Sequence, residues 1–225
     1  MMRKSQLLGR SEFDQMCQKG AVLEQDERGI KVLRLQNGDM LKVFRVRNRF
    51  SVARIYSYAR RFCRNAARLQ QSGIPTVHIK QLFHLEAPAE TAVLYAPLEG
   101  VTLRELLRSR SLTMEEASIL GTFIAKLHRH GVHFRSLHLG NIVLDSQGRL
   151  GLIDIADMSI YPWPLWCGTR VRSFTHLHRY PEQVRELDLA TWQIIEASYF
   201  DHAALRPACE NRLRQHLKKI SVFAS

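Results

Sequence analysis

The stretch from His133 to Asp154, HFRSLHLGNIVLDSQGRLGLID, leaves its backbone few choices. Ile142, Val143 and Leu144 precede Asp145, Ser146, Gln147 and Gly148, and a second apolar run closes on Asp154. Two apolar runs around a short turn with glycine predict a β-hairpin. Pairing of the strands would bring Asn141, just before the first, near Asp154, just after the second. An amide oxygen and a carboxylate so placed can share a hard divalent cation such as Mg2+. The plainer reading of the same residues is a hairpin with a surface Asn and a surface Asp.

Composition narrows the class of protein. The chain has 225 residues, 45% hydrophobic and 24% charged, enough to bury one large core or two smaller ones. No apolar run approaches the roughly 18 residues that span a bilayer. The basic start, MMRKSQLLGRSEFDQ, lacks the apolar centre of a signal peptide, so a cytoplasmic location is expected. Cys17, Cys63, Cys167 and Cys209 are scattered without a C-x-x-C pair, which predicts reduced, structural thiols and neither a disulfide framework nor a zinc cage. His128, His130, His133 and His138 cluster without H-E-x-x-H spacing, so no zinc site is expected there. The formal charge of +12 points to an anionic partner: nucleic acid, an acidic membrane surface or a phosphorylated glycolipid. No nucleic-acid-binding motif accompanies it, which leaves nucleic acid as the weakest of the three.

In chain order, Ala21 to Leu23, Ile30 to Leu35 and Met40 to Phe44 read as short strands after a lead-in, divided by the polar stretch Glu24 to Gly29 and by the Asn37-Gly38 turn. Alternation along MLKVF puts Lys42 on the face opposite Leu41 and Val43. Ile55, Tyr58, Phe62, Ala66 and Leu69 carry helical spacing through Val52 to Gln71, with Arg54, Arg60, Arg61, Arg64 and Arg68 around them and Gly73 and Pro75 ending the run. Val77 to Leu85 and Thr91 to Tyr95 follow as strands. Thr113 with Glu116 forms a capping box for a helix whose stripe is Ile119, Leu120, Phe123, Ile124 and Leu127. After the hairpin, YPWPLW (Tyr161 to Trp166) is an aromatic segment broken by proline, and helical runs lie around Leu187 to Tyr199 and Asn211 to Ile220.

The order and spacing of these parts resemble the protein-kinase-like superfamily. Its pattern H-R-D-L-x-x-x-N falls on Phe134, Arg135, Ser136, Leu137 and Asn141, and its D-F-G falls on Asp154, Ile155 and Ala156. The resemblance implies an α+β, bilobal fold: an N-lobe over residues 1–98, an antiparallel sheet plus one helix, and a mainly helical, shortened C-lobe over residues 99–225. It implies Lys42 on the phosphates of ATP, the link from Tyr95 to Leu98 against the adenine, and Asn141 with Asp154 on Mg2+. Asn65 falls near the glutamate that pairs with the strand lysine in that family, and an Asn there can accept one hydrogen bond from Lys42. Ser136 stands where the catalytic aspartate should be and cannot take a proton at neutral pH. His138, His133 or Asp157 would have to serve as base, or the acceptor proton would leave late, as a loose phosphoryl-transfer transition state tolerates. Asp188 is expected to anchor the catalytic loop from behind. The glycine-rich loop of the family has no counterpart here.

The shortened second half, with no A-P-E segment, makes the chain look like the small bacterial kinases that act on heptose in the lipopolysaccharide core. That likeness implies ATP and Mg2+ as cofactors, a sugar hydroxyl on an anionic glycolipid as acceptor, and work at the cytoplasmic face of the inner membrane. Trp163, Trp166, Arg170 and Arg172 would then meet sugar faces and existing phosphates. The rival expectation is a pseudokinase, a nucleotide-binding or regulatory partner in envelope assembly.

Overall fold

A computed structural model describes residues 5–45, 52–86 and 90–223; within the helix Val52–Gln71, side chains are described from Tyr58 onward, so Ile55 of the expected stripe and Arg54 of the surrounding arginines lie outside them. The fold is α+β, and the chain divides into two compact units. One is Met1–Leu98 with Asp154–Ala156, the other Glu99–Ile153 with Asp157–Ser225. The short piece Asp154–Ala156 thus counts with the first unit, where the sequence reading kept it with the second.

The first unit contains β1 (Gln6–Leu8), α1 (Arg10–Lys19), β2 (Ala21–Asp26), β3 (Gly29–Arg34), β4 (Met40–Phe44), α2 (Val52–Gln71), β5 (His78–Leu85) and β6 (Thr91–Ala96). Their strands order as β1-β5-β6-β4-β3-β2. The sheet is mixed, because β1 lies parallel to β5 while the other pairs are antiparallel. An all-antiparallel sheet is what the sequence predicts; the lead-in before Ala21 supplies the helix α1 and, ahead of it, the parallel strand β1. The stretch from Glu24 also differs, since β2 continues to Asp26 and the turn is confined to the residues before Gly29.

Alternation decides what each face of this sheet meets. Leu33, Leu41, Val43, Phe83 and Ala92 join Leu8 in one buried cluster, and Phe13, Met16 and Cys17 of α1 pack against it. On α2 the buried stripe is Ala59, Phe62, Cys63, Ala66 and Leu69, whereas Tyr58 is exposed. Lys42, between Leu41 and Val43, has its ammonium about equally near the Phe44 and Phe62 rings, 6.0 and 5.9 Å from their centroids.

The second unit contains β7 (Val101–Thr102), α3 (Leu103–Ser109), α4 (Met114–Arg129), β8 (Val132–Phe134), β9 (Ile142–Leu144), β10 (Leu150–Leu152), β11 (Met158–Ile160), α5 (Cys167–Leu177), α6 (Pro181–Glu186), α7 (Leu189–His202) and α8 (Pro207–Ile220). The expected hairpin is β9 with β10, in the register Ile142 to Leu152, Val143 to Gly151 and Leu144 to Leu150. Gly148 closes its turn at φ +73°, in the left-handed region that residues with a Cβ avoid, and its amide donates to the Asp145 carbonyl. Thr113 and Glu116 form the expected capping box on α4, and Arg110 grips the same glutamate. That guanidinium, with the Thr113 amide, holds the Glu116 carboxyl down at about 2.

Helices α4 and α7 approach so closely that a Cβ at Gly121 would lie 2.3 Å from the Ile195 carbonyl oxygen. Beside this contact His128 is fully buried. Its Nδ1 pairs with the Tyr199 hydroxyl at 2.9 Å and its Nε2 with the Ser173 hydroxyl at 2.9 Å, tying α4 to α7 and α5. Burial, helped by the Arg170 charge, pushes the imidazole down to about 3. A disulfide joins Cys167 of α5 to Cys209 of α8, 42 residues on. This corrects the expectation of four reduced cysteines: only Cys17 and Cys63 are free. Cysteines far apart in sequence carry no pairing signal until the helices that bear them are packed side by side. Among the described residues no helix is long and apolar enough to cross a membrane.

Two stability measurements follow. The unfolded chain binds a proton at His128 near pH 6.5, whereas the folded one resists until about pH 3, so this residue's contribution is complete above about pH 6.5 and is lost as pH falls. Urea unfolding of His128→Gln should therefore lose about 1.4 kcal/mol less per pH unit than the native protein between about pH 6 and about pH 5. Opening the Cys167–Cys209 bridge with reductant should cost about 2 to 4 kcal/mol. In Cys209→Ser the same reductant should change nothing.

Candidate functional site

Lys42 and Asp154 form an ion pair although 112 residues separate them. The pair alone cannot position Asp154. Its carboxylate is about half exposed, which limits such a bridge to under about 1 kcal/mol. Asp154 itself sits at φ +50°, a left-handed conformation that costs a residue with a Cβ about 1 kcal/mol.

The next residue supplies the difference. Ile155 is fully buried, and its carbonyl accepts a 2.7 Å hydrogen bond from Asn65 Nδ2 on α2, a residue itself buried. Burial of the isoleucine contributes roughly 1.5 to 3 kcal/mol and the buried bond about 1 more. The strained Asp154 is thus held from behind. Lys42 occupies Oδ1, and Oδ2 has no partner among the described residues. Asn65 was expected to accept from Lys42 in place of a glutamate; its observed bond acts on the Asp154 segment instead. Tyr95, on β6 beside β4, packs its ring 5.4 Å from Phe62. Burial, and then the Asp154 charge, push its phenol up to about 12. Leu98 is half-buried at the end of this unit's first segment.

The remaining expected site residues lie in the second unit. Asn141 is buried, donates from Nδ2 to the Ser136 carbonyl at 2.8 Å, and accepts from the Ile153 amide at its own carbonyl. His138 uses Nδ1 to accept from the Gly140 amide at 3.1 Å, and its ring lies 4.7 Å from Tyr180. Asn141 and Asp154, expected to share a cation, fall in different units. No cluster of three or more His, Cys, Asp or Glu side chains suited to a metal occurs among the described residues.

Several sequence assignments change. Asp188 does not anchor the loop: it caps α7, accepting from the Thr191 amide and hydroxyl. Buried Gln183 does so instead, its Oε1 taking the Leu139 amide at 3.2 Å. A glutamine in a short helix gives no sequence signal for this. Arg170 is buried and donates to the Leu165 and Ala203 carbonyls, and it also lines the cavity beside Trp166. Asp157, one of the proposed bases, is paired with Arg135. Trp166 remains exposed and lines a cavity of about 540 Å³ with Pro164, Leu205, Arg206 and the disulfide. Trp163 is exposed and stacked on Tyr161.

No family model matches the chain, and no curated protein matches it.

The Asn65 clamp is open to a direct test. Asn65→Ala leaves the buried Ile155 carbonyl without its donor and should cost about 1 to 3 kcal/mol in urea unfolding. Asn65→Asp, which accepts but cannot donate when ionised, should be no more stable than the alanine variant. Recovery of stability in the aspartate variant would show that donation to Ile155 is not what this residue contributes.

Proposed function

We propose that this chain is an ATP-dependent phosphotransferase of protein-kinase-like type, acting on a sugar hydroxyl of lipopolysaccharide core or a similar anionic envelope glycolipid. The observation that carries the reading is Asp154, a half-exposed carboxylate in a strained conformation, fixed by Asn65 and Ile155 beside a strand lysine. Strain maintained at a charged, solvent-reached group is typical of a group kept for a ligand. In this reading Lys42 exchanges Asp154 for the phosphates of ATP, and Asp154 turns its oxygens to Mg2+. In this reading Tyr95 and Leu98 receive the adenine. The Trp166 cavity, with an aromatic face and Arg206 at its edge, suits a sugar bearing negative charge. The charge of +12 favours an acidic surface, in keeping with work at the cytoplasmic side of the inner membrane.

One observation favours a second reading, a pseudokinase that binds nucleotide and regulates a partner. Ser136 holds the position of the family's base, and Asp157 is engaged by Arg135. His138 and His133 are then the remaining candidate proton acceptors, and the loss of general-base help slows transfer by roughly 10² to 10⁴-fold.

ATP with Mg2+ at about 100 times its dissociation constant should stabilise the protein by about 2.7 kcal/mol, or about 5 to 11 °C in Tm for a chain of this size. Asp154→Ala should abolish the magnesium-dependent part. Radiolabelled phosphate transfer to isolated core glycolipid then separates the two readings: slow transfer lost in Asp154→Ala supports the enzyme, and background activity with an intact thermal shift supports the pseudokinase. No shift with any nucleotide would refute both.

A further inference from the structure

The second unit contains a group of charged and imidazole side chains that the nucleotide reading does not use. Strand β8 pairs with β11 so that His133 lies opposite Ser159, and the Arg135 amide donates to the Asp157 carbonyl one step further along. Alternation places His133 and Arg135 on one face of β8, with Asp157 and Ser159 across from them. Val132, Phe134 and Met158 take the other face and are buried. Helix α5 contributes a second row. Its buried side is Arg170, Ser173, Phe174 and Leu177, which leaves Thr169, Arg172 and His176 as a separate stripe, continued by Arg179 just past the helix end.

The two rows meet at the histidines. The rings of His133 and His176 lie 5.6 Å apart at 32°. His133 Nε2 and His176 Nδ1 are both buried, and neither has a hydrogen-bond partner among the described residues. A buried polar atom without a partner costs roughly 1 to 3 kcal/mol, so two on adjoining rings call for a ligand atom to meet them. The surrounding charge says what kind. Arg135, Arg172 and the His176 ring act on His133, and Arg179, Arg135 and Arg172 act on His176. Asp157 is the opposing charge on both rings and is already taken by Arg135. Burial first, then these cations, hold both imidazoles below their ordinary value, so at neutral pH each ring is uncharged with one N–H to donate.

Three guanidiniums around two uncharged imidazoles oppose a metal cation and suit an oxyanion with several acceptor atoms. We infer that the face formed by His133 and Arg135 of the β8 segment with Arg172, His176 and Arg179 of the α5 segment binds a phosphate group, either free or as a phosphomonoester. The phosphate oxygens accept from the imidazole N–H groups and from the guanidiniums of Arg172 and Arg179, while Asp157 keeps Arg135 in place. This site lies wholly in the second unit and stands whether or not the nucleotide reading holds.

The full-length protein labelled with 15N at histidine, titrated with inorganic phosphate at neutral pH, gives the test. The His133 and His176 ring resonances should shift together and saturate at millimolar phosphate, with those of His216 unmoved. Arg172→Gln with Arg179→Gln, at two exposed positions away from Lys42 and Asp154, should weaken binding by about tenfold or more while leaving unfolding by urea unchanged. A parallel titration with glucose 6-phosphate identifies the source: tighter binding than inorganic phosphate assigns a phosphomonoester, and weaker binding assigns the free ion. Ring resonances unmoved by either anion, or an equal loss of affinity in Arg206→Gln, whose guanidinium belongs to another cavity, would overturn the site. So would saturable shifts with Zn2+ and none with phosphate, which would make the pair of rings a metal site.

Discussion

A single hydrogen bond, from Asn65 Nδ2 to the Ile155 carbonyl, sets the geometry on which the first unit's chemistry depends. It joins residues 90 apart and is buried, so breaking it would strand a donor and an acceptor away from water. The Lys42–Asp154 bridge is the visible outcome and the weaker partner. Exposed bridges contribute little, and the lysine would find an alternative carboxylate or water at small cost. An anchored backbone with a buried isoleucine is what keeps Asp154 in a conformation it would otherwise leave.

Histidine is used in the second unit in three physically different ways. His128 is a buried cross-brace, satisfied on both nitrogens by Tyr199 and Ser173, and it is kept neutral by its surroundings. His138 accepts from a backbone amide two residues on and shapes the loop it belongs to. His133 and His176 are buried at one nitrogen each without a partner among the described residues, and they lie among arginines. Sequence proximity made His128, His130, His133 and His138 look like one group, yet these three roles are set by which helix or strand lies opposite each ring.

Much of the local structure was legible because it rests on local physics. The capping box at Thr113 and Glu116, the Gly148 turn and the β9–β10 register follow from side chains within a few residues of one another. Lys42 was placed on the correct face by alternation alone. Less legible were β1, whose three residues gain their partners from β5 more than 70 positions away, and α5, whose sequence CGTRVRSFTHL has glycine and β-branched residues that favour a helix poorly. That helix is stabilised by burying Arg170, Ser173, Phe174 and Leu177, with Arg170 satisfied by two carbonyls from elsewhere in the unit.

By itself the sequence determined the periodicity of the strands and helices, the turns between them, the excess of positive charge, and the residue types offered to a ligand. All of these depend on neighbours along the chain or on composition. Tertiary structure alone decided that Asn65 grips Ile155, that Gln183 and not Asp188 holds the Leu139 amide, that Cys167 meets Cys209, and that two imidazoles face each other among arginines. Each of these is a contact between residues at least 40 positions apart, whose formation depends on how whole elements pack, and no local pattern records it.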